Sequence, residues 1–192
     1  MDKAFLREYI MTHLSEKRAI HSINVAKEAV KLAEKYGADV EKAEIAGILH
    51  DIAKETPVEE QLQILNKSGI IKNTADIASP KLLHAQTATV LLPELFCITD
   101  ADIITAIRFH TTAREGMSLL EKVLYVADYI SEDRIYDGVE ELRKVAYESL
   151  EEAMLIGLQF TIAELAEGLR PIHPDTVNAY NQIVCEKNSS IK

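Results

Sequence analysis

The stretch ILHDIAKE, residues 48–55, decides how the rest of the chain is read. Ile48 and Leu49 continue a helical apolar pattern, yet His50 and Asp51, two good metal or proton ligands, follow where buried side chains are expected. Asp39 can cap a helix over VEKAEIAGILHDIAKE, on which Ala43, Ala46 and Gly47 lead to His50, and Gly47 leads by four to Asp51. Adjacent helical residues point about 100° apart, so the pair can serve two sides of one centre.

Working outward, the same arrangement recurs. Ser15 caps a helix through EKRAIHSINVAKEAVKLAEKY that stops at Gly37 and carries Leu14, His21, Val25 and Leu32 along one stripe. Ser79 and Pro80 start a helix through KLLHAQTATVLL, with His84 in line with Ala88 and Leu91. Thr99 or Asp100 starts ADIITAIRFH, where Ile103 and Ile107 lead to His110. Ser118 and Glu121 box LLEKVLYVADYI, where Leu120 and Leu124 lead to Asp128. A capping box of Thr56 and Glu59, with Pro57 at the first helical position, opens a further helix to about Lys67. Two more apolar-periodic stretches cover Glu140 to Glu167 and Asp175 to Val184, and EKNSSIK, residues 186–192, is expected to fray. Strand-like alternation is nearly absent, so the fold class is all-α: one helical bundle over 1–192, its core about 15–184.

Composition narrows the function. With 192 residues, 47% of them hydrophobic, the chain can build one sizeable core. A formal net charge of -10 disfavours nucleic-acid polymers and anionic membranes, but a small anion remains a fitting partner where local Lys and Arg override the field. Apolar runs fall short of the roughly 20 residues that span a bilayer, and MDKAFLREYIMTHLSEKRAI has no apolar signal core; the expectation is a soluble, cytoplasmic protein. Cys97 and Cys185 form no closely spaced pair and read as ordinary reduced thiols.

Four histidines and two aspartates thus sit on the apolar stripes of five helices. A single such histidine is usually a hydrogen-bonded core residue, but a buried carboxylate must pair, bind metal or stay protonated, and the repetition favours a metal centre. Imidazole nitrogen with carboxylate oxygen suits Fe, Mn, Co or Zn better than Ca or Mg. No Glu-x-x-His pair occurs, which argues against a ferritin-like di-iron bundle.

The series His21, then His50-Asp51, then Asp128 resembles the H…HD…D signature of HD-domain metal-dependent phosphohydrolases, and the added His84 and His110 resemble its dinuclear branch. More narrowly, LLHA (82–85) and IRFHTTAREGMSLLEKVLYVADYISEDR (107–134) resemble the YqeK-like family of symmetrical dinucleoside tetraphosphate hydrolases, over about residues 15–184. The resemblance implies cleavage of diadenosine tetraphosphate to two ADP by a metal-activated hydroxide. It places His21, His50, Asp51 and Asp128 on one ion and His84 and His110 on a second, with Asp51 bridging. Iron is the foremost metal, with Mn, Co or Zn as alternatives. Asp51, Lys54 and Asp128 are the implied catalytic residues. Lys54, one turn beyond His50, and Arg134, just past the Asp128 helix, are candidates for holding phosphate charge; Arg18 and Lys81, each three residues before a ligand histidine, could reach the same anion. Thr111, next to His110, is a further candidate, though threonines there more often end a helix.

Family members usually carry Gly at Ala85 and Ala113 and Glu-Pro at Ser131-Glu132; the missing proline is expected to loosen the segment before Arg134. His13 reads as an ordinary residue, and His173 as marking a helix start or touching substrate. Competing readings are another HD nucleotidase, phosphodiesterase or oxygenase, a nucleotide-binding regulator, and a helical scaffold with structural histidines. A homodimer is expected on general grounds.

Overall fold

The computed structural model describes residues 2–70 and 73–189. The described residues form eleven α-helices and no strand: α1 (Lys3–His13), α2 (Glu16–Tyr36), α3 (Val40–Leu49), α4 (Val58–Lys67), α5 (Thr74–Ala78), α6 (Leu83–Phe96), α7 (Ala101–Phe109), α8 (Leu119–Ile130), α9 (Val139–Ala146), α10 (Leu150–Glu167) and α11 (Pro174–Ser189). None of them is long and apolar enough to cross a membrane.

Most helix ends follow local chemistry. The Ser15 hydroxyl accepts the Arg18 N–H, and Gly37 closes α2 in the left-handed region at φ 79°. Asp39 caps α3 through the Lys42 N–H, Asp100 caps α7, and Ser118 with Glu121 forms a reciprocal box at α8. The box expected from Thr56 and Glu59 does not form. Pro57 is the cap residue of α4 and offers no side-chain acceptor, while the Thr56 carbonyl takes the Gln61 side-chain amide at 2.7 Å. Nor does Ser79 cap α6; Pro80–Leu82 form one 3₁₀ turn that runs into it.

Three further differences are plain. Helix α1 is an additional element, and it buries Leu6 and Ile10. The 140–167 stretch divides into α9 and α10, where Ser149 caps a new helix through the Glu152 N–H. Residues 186–189, expected to fray, continue α11; 190–192 lie outside the described residues.

The five helices that carry the singled-out His and Asp residues share one continuous core, with Val25, Ile48, Ala88, Ile107 and Leu124 all buried in it. Its tightest seam lies between α2 and α3. A Cβ at Gly47 would stand 2.4 Å from the Ala26 Cα, so only glycine lets the backbones approach this closely. That approach sets His21 and His50 side by side, with ring centroids 5.3 Å apart.

Candidate metal centre

All six residues singled out from the sequence converge. His21 comes from α2, His50 from the end of α3, Asp51 from the turn after it, His84 from α6, His110 from the end of α7 and Asp128 from α8. Asp51 lies at the middle. Its Oδ2 is 4.0 Å from His21 Nε2 and 3.5 Å from His50 Nε2, while its Oδ1 is 3.0 Å from His84 Nε2 and 3.6 Å from His110 Nε2. Asp128 Oδ1 stands 3.0 Å from His21 Nε2 and 4.0 Å from His50 Nε2.

The backbone fixes how the imidazoles present themselves. Nδ1 of His50, His84 and His110 lies 2.8, 2.7 and 2.7 Å from the carbonyl three residues earlier, that of Gly47, Lys81 and Ile107. A carbonyl only accepts, so each Nδ1 carries a proton, and each ring in its neutral form turns an Nε2 lone pair inward. At the ends of α3 and α7 the same bond satisfies a carbonyl that helix termination leaves without a partner. His21 reaches the same state differently, with Nδ1 donating to Asp133 Oδ2 at 2.7 Å.

The result is a buried set of acceptors facing acceptors. His84 Nε2 and His110 Nε2 are 3.2 Å apart, and His21 Nε2, His50 Nε2 and Asp51 Oδ1 have no hydrogen-bond partner. Lone pairs so arranged repel one another unless positive charge lies among them. Sets of three drawn from these six residues place their ligand atoms within 4.8 Å of one another: His21, His50 and Asp51; His50, His110 and Asp128; Asp51, His84 and His110. The donor chemistry and the orphaned atoms fit a transition metal.

Electrostatics agrees. Burial drives His84 down to about 4 and lowers His110 as well, against the pull of Asp51, so both rings are neutral ligands near pH 7. At His50 burial also acts downward, but Asp51 and Asp128 outweigh it and raise the value. Burial opposes ionisation of both aspartates, yet the histidines around Asp51 hold it well below the usual carboxylate range; His21 and Arg134 do so for Asp128.

Cations ring the cluster. Arg18 Nη1 donates to Asp51 Oδ2 at 2.6 Å, and Arg134 pairs with the Asp128 carboxylate while its Nε donates to the Asp128 carbonyl at 2.7 Å. Lys54 Nζ is 3.2 Å from His84 Nε2 and 3.7 Å from Asp51 Oδ1. Lys81 stands apart: its carbonyl orients His84, but its exposed side chain lines a neighbouring cleft. Thr111 follows α7, and its hydroxyl is buried without a partner.

The segment before Arg134 is held rather than loosened. Arg143 donates to the carbonyls of Ile130, Ser131 and Arg134 at 3.0, 2.8 and 3.0 Å, which does the work expected of a proline. Ala113 takes a left-handed φ of 56°, the conformation that glycine adopts most readily. His173 is buried, with Nε2 2.8 Å from Asn73 Nδ2, and His13 stacks on Tyr9 at the surface. Sequence reasoning missed Asp133, because it lies past the end of α8 and outside any helical period.

Fold and site together define a helical bundle closed around a His/Asp cage suited to transition metals. The chain belongs to the HD domain family, whose model matches residues 18–133. It is 42% identical to the Bacillus subtilis protein named bis(5'-nucleosyl)-tetraphosphatase, symmetrical, over 91% of this chain and 94% of that one. A Halalkalibacterium halodurans protein of the same name is 39% identical over 97% of this chain and 100% of its own. Among solved structures, a predicted HD superfamily hydrolase involved in NAD metabolism, from Clostridium acetobutylicum, superposes with a TM-score of 0.93 at 40% identity, covering 97% of this chain and 98% of that one.

Proposed function

We infer that this chain hydrolyses diadenosine tetraphosphate and related dinucleoside polyphosphates symmetrically, releasing nucleoside diphosphates. Relatives of that name align over nearly the whole chain. The observation that carries the reading into chemistry is the division of Asp51, one oxygen towards His21 and His50 and the other towards His84 and His110.

In this reading His21, His50, Asp51 and Asp128 hold one ion and His84 and His110 a second, with Asp51 shared; iron is our first choice, Mn, Co or Zn the alternatives. Ions so held supply Lewis acidity and make water acidic enough to serve as a nucleophile near neutral pH. The protein's own part is to place the substrate. Lys54 binds a phosphate oxygen beside Asp51. Arg18 and Arg134 keep further N–H donors beyond those paired to Asp51 and Asp128, and turn them to the polyphosphate. A nucleoside diphosphate leaves as a stabilised anion, so no strong general acid is required. The chain acts as one domain, in the cytoplasm.

The test is anion-exchange separation of the products after metal-supplied protein meets diadenosine tetraphosphate. ADP alone is expected. AMP with ATP would overturn the symmetrical position, and no product from metal-loaded protein would overturn the activity.

A further inference from the structure

Two clefts of nearly equal size meet at Thr111. The first, about 290 Å³, reaches His110 and Asp128 and is lined by Tyr129, Arg134, Tyr136 and Phe160. The second, about 310 Å³, has apolar walls from Leu82, Leu165 and Pro171, with Lys81, Thr161 and Arg170 among its polar lining. Thr111 lines both, and its buried hydroxyl has no partner within the protein. The hydroxyls of Tyr129 and Thr161 are hydrogen-bonded to each other, which makes that pair a partition between the clefts.

Volumes near 300 Å³ are at the small end of ligand pockets and suit one nucleoside each rather than a whole dinucleotide. In the first cleft the Tyr136 and Phe160 rings lie 6.0 Å apart at 25°, and Phe160 is half exposed, leaving an aromatic face for a base. The second presents aliphatic walls with two exposed cations in its lining, Lys81 and Arg170, the latter paired with Glu164 at 2.6 Å.

We propose that each cleft receives one nucleoside end of the same dinucleoside polyphosphate, with the phosphate chain crossing between them at Thr111. This rests on the activity inferred above and adds how the site takes hold of both ends. A ligand that fills both clefts gains the second contact intramolecularly, so it binds more tightly than either nucleotide alone. Because one wall is aromatic and the other aliphatic, the two ends are recognised differently although the substrate is symmetrical.

The experiment is calorimetric titration of the manganese-loaded chain with ADP, together with KM for diadenosine tetraphosphate in Phe160→Ala and Leu165→Trp. Both side chains are partly exposed, and a thermal melt at the wild-type midpoint separates loss of a cleft from loss of fold. Two ADP per wild-type chain are expected, one in each variant, with KM raised about tenfold or more and metal content unchanged. A single ADP per wild-type chain, or a wild-type KM in Leu165→Trp, overturns the two-cleft arrangement. The titration needs no turnover: absent hydrolysis by the wild type would count against the activity, while the number of ADP bound would still decide the clefts.

Discussion

At the scale of the residue, the decisive device is the tether on each imidazole. His50, His84 and His110 each give the Nδ1 proton to the carbonyl three residues back, whereas His21 depends on the side chain of Asp133. His21 is therefore the ligand whose orientation a substitution can release without disturbing the backbone. Asp133→Ala, which leaves His21 Nδ1 with no acceptor, is expected to weaken metal affinity by roughly 10–100-fold with the melting temperature little changed, as read by competition with a chelator. Unaltered affinity would show that His21 needs no such partner. The six clustered residues were legible because each continues an apolar series at helical spacing, and a helical period converts directly into a shared face. Asp133 was not legible, since its position depends on a turn that Arg143 holds from nine to twelve residues away. The side chain of Phe160 was equally opaque: it falls in an apolar-periodic stretch, yet remains half exposed at a cleft.

At the scale of the element, the site is made by the closeness of α2 and α3. Gly47 faces the Ala26 backbone, where an added Cβ would meet Cα at 2.4 Å and N at 2.8 Å, neither of which can swing aside. Gly47→Ala is expected to push the helices apart and destabilise the chain by about 1–3 kcal/mol, with a parallel loss of metal affinity as His21 and His50 separate. Urea denaturation of chelator-treated protein measures the first effect; a wild-type midpoint would contradict it. Helix starts governed by one side chain, at Ser15, Asp39, Asp100 and Ser118, were readable locally. At α4 and α6 the neighbouring proline marked the approximate start, but the side-chain caps expected of Thr56 and Ser79 do not form, since Pro57 takes the cap position of α4 and a 3₁₀ turn from Pro80 leads into α6. Helix α1 is only 11 residues long and buries only Leu6 and Ile10, too short an apolar series to stand out; their burial in the core, more than its own sequence, keeps it folded.

At the scale of the whole molecule, a chain of net charge -10 gathers Arg18, Lys54 and Arg134 around the buried Asp51 and the half-buried Asp128, a local concentration of cations that suits a polyphosphate. The same cluster couples folding to pH. His84 titrates at about 4 in the folded chain, below its ordinary 6.5, and His110 is lowered too, so the unfolded state binds their protons first. Their contribution is intact above pH 6.5 and is lost as pH falls from there through about 4. His50 has the opposite sign, and its contribution fades as pH rises above 6.5. Chelator-treated protein is therefore expected to have a lower urea midpoint at pH 5 than at pH 6.5, and equal midpoints would contradict the burial of neutral His84 and His110.

One carboxylate, that of Asp51, is expected to serve two ions. Elemental analysis of metal-loaded wild type and Asp51→Ala, both checked for helical content by circular dichroism, tests it most directly. Two ions per chain are predicted in the wild type, with fewer in the variant and activity on diadenosine tetraphosphate lost alongside them. An Asp51→Ala protein that keeps two ions and wild-type turnover would contradict the claim.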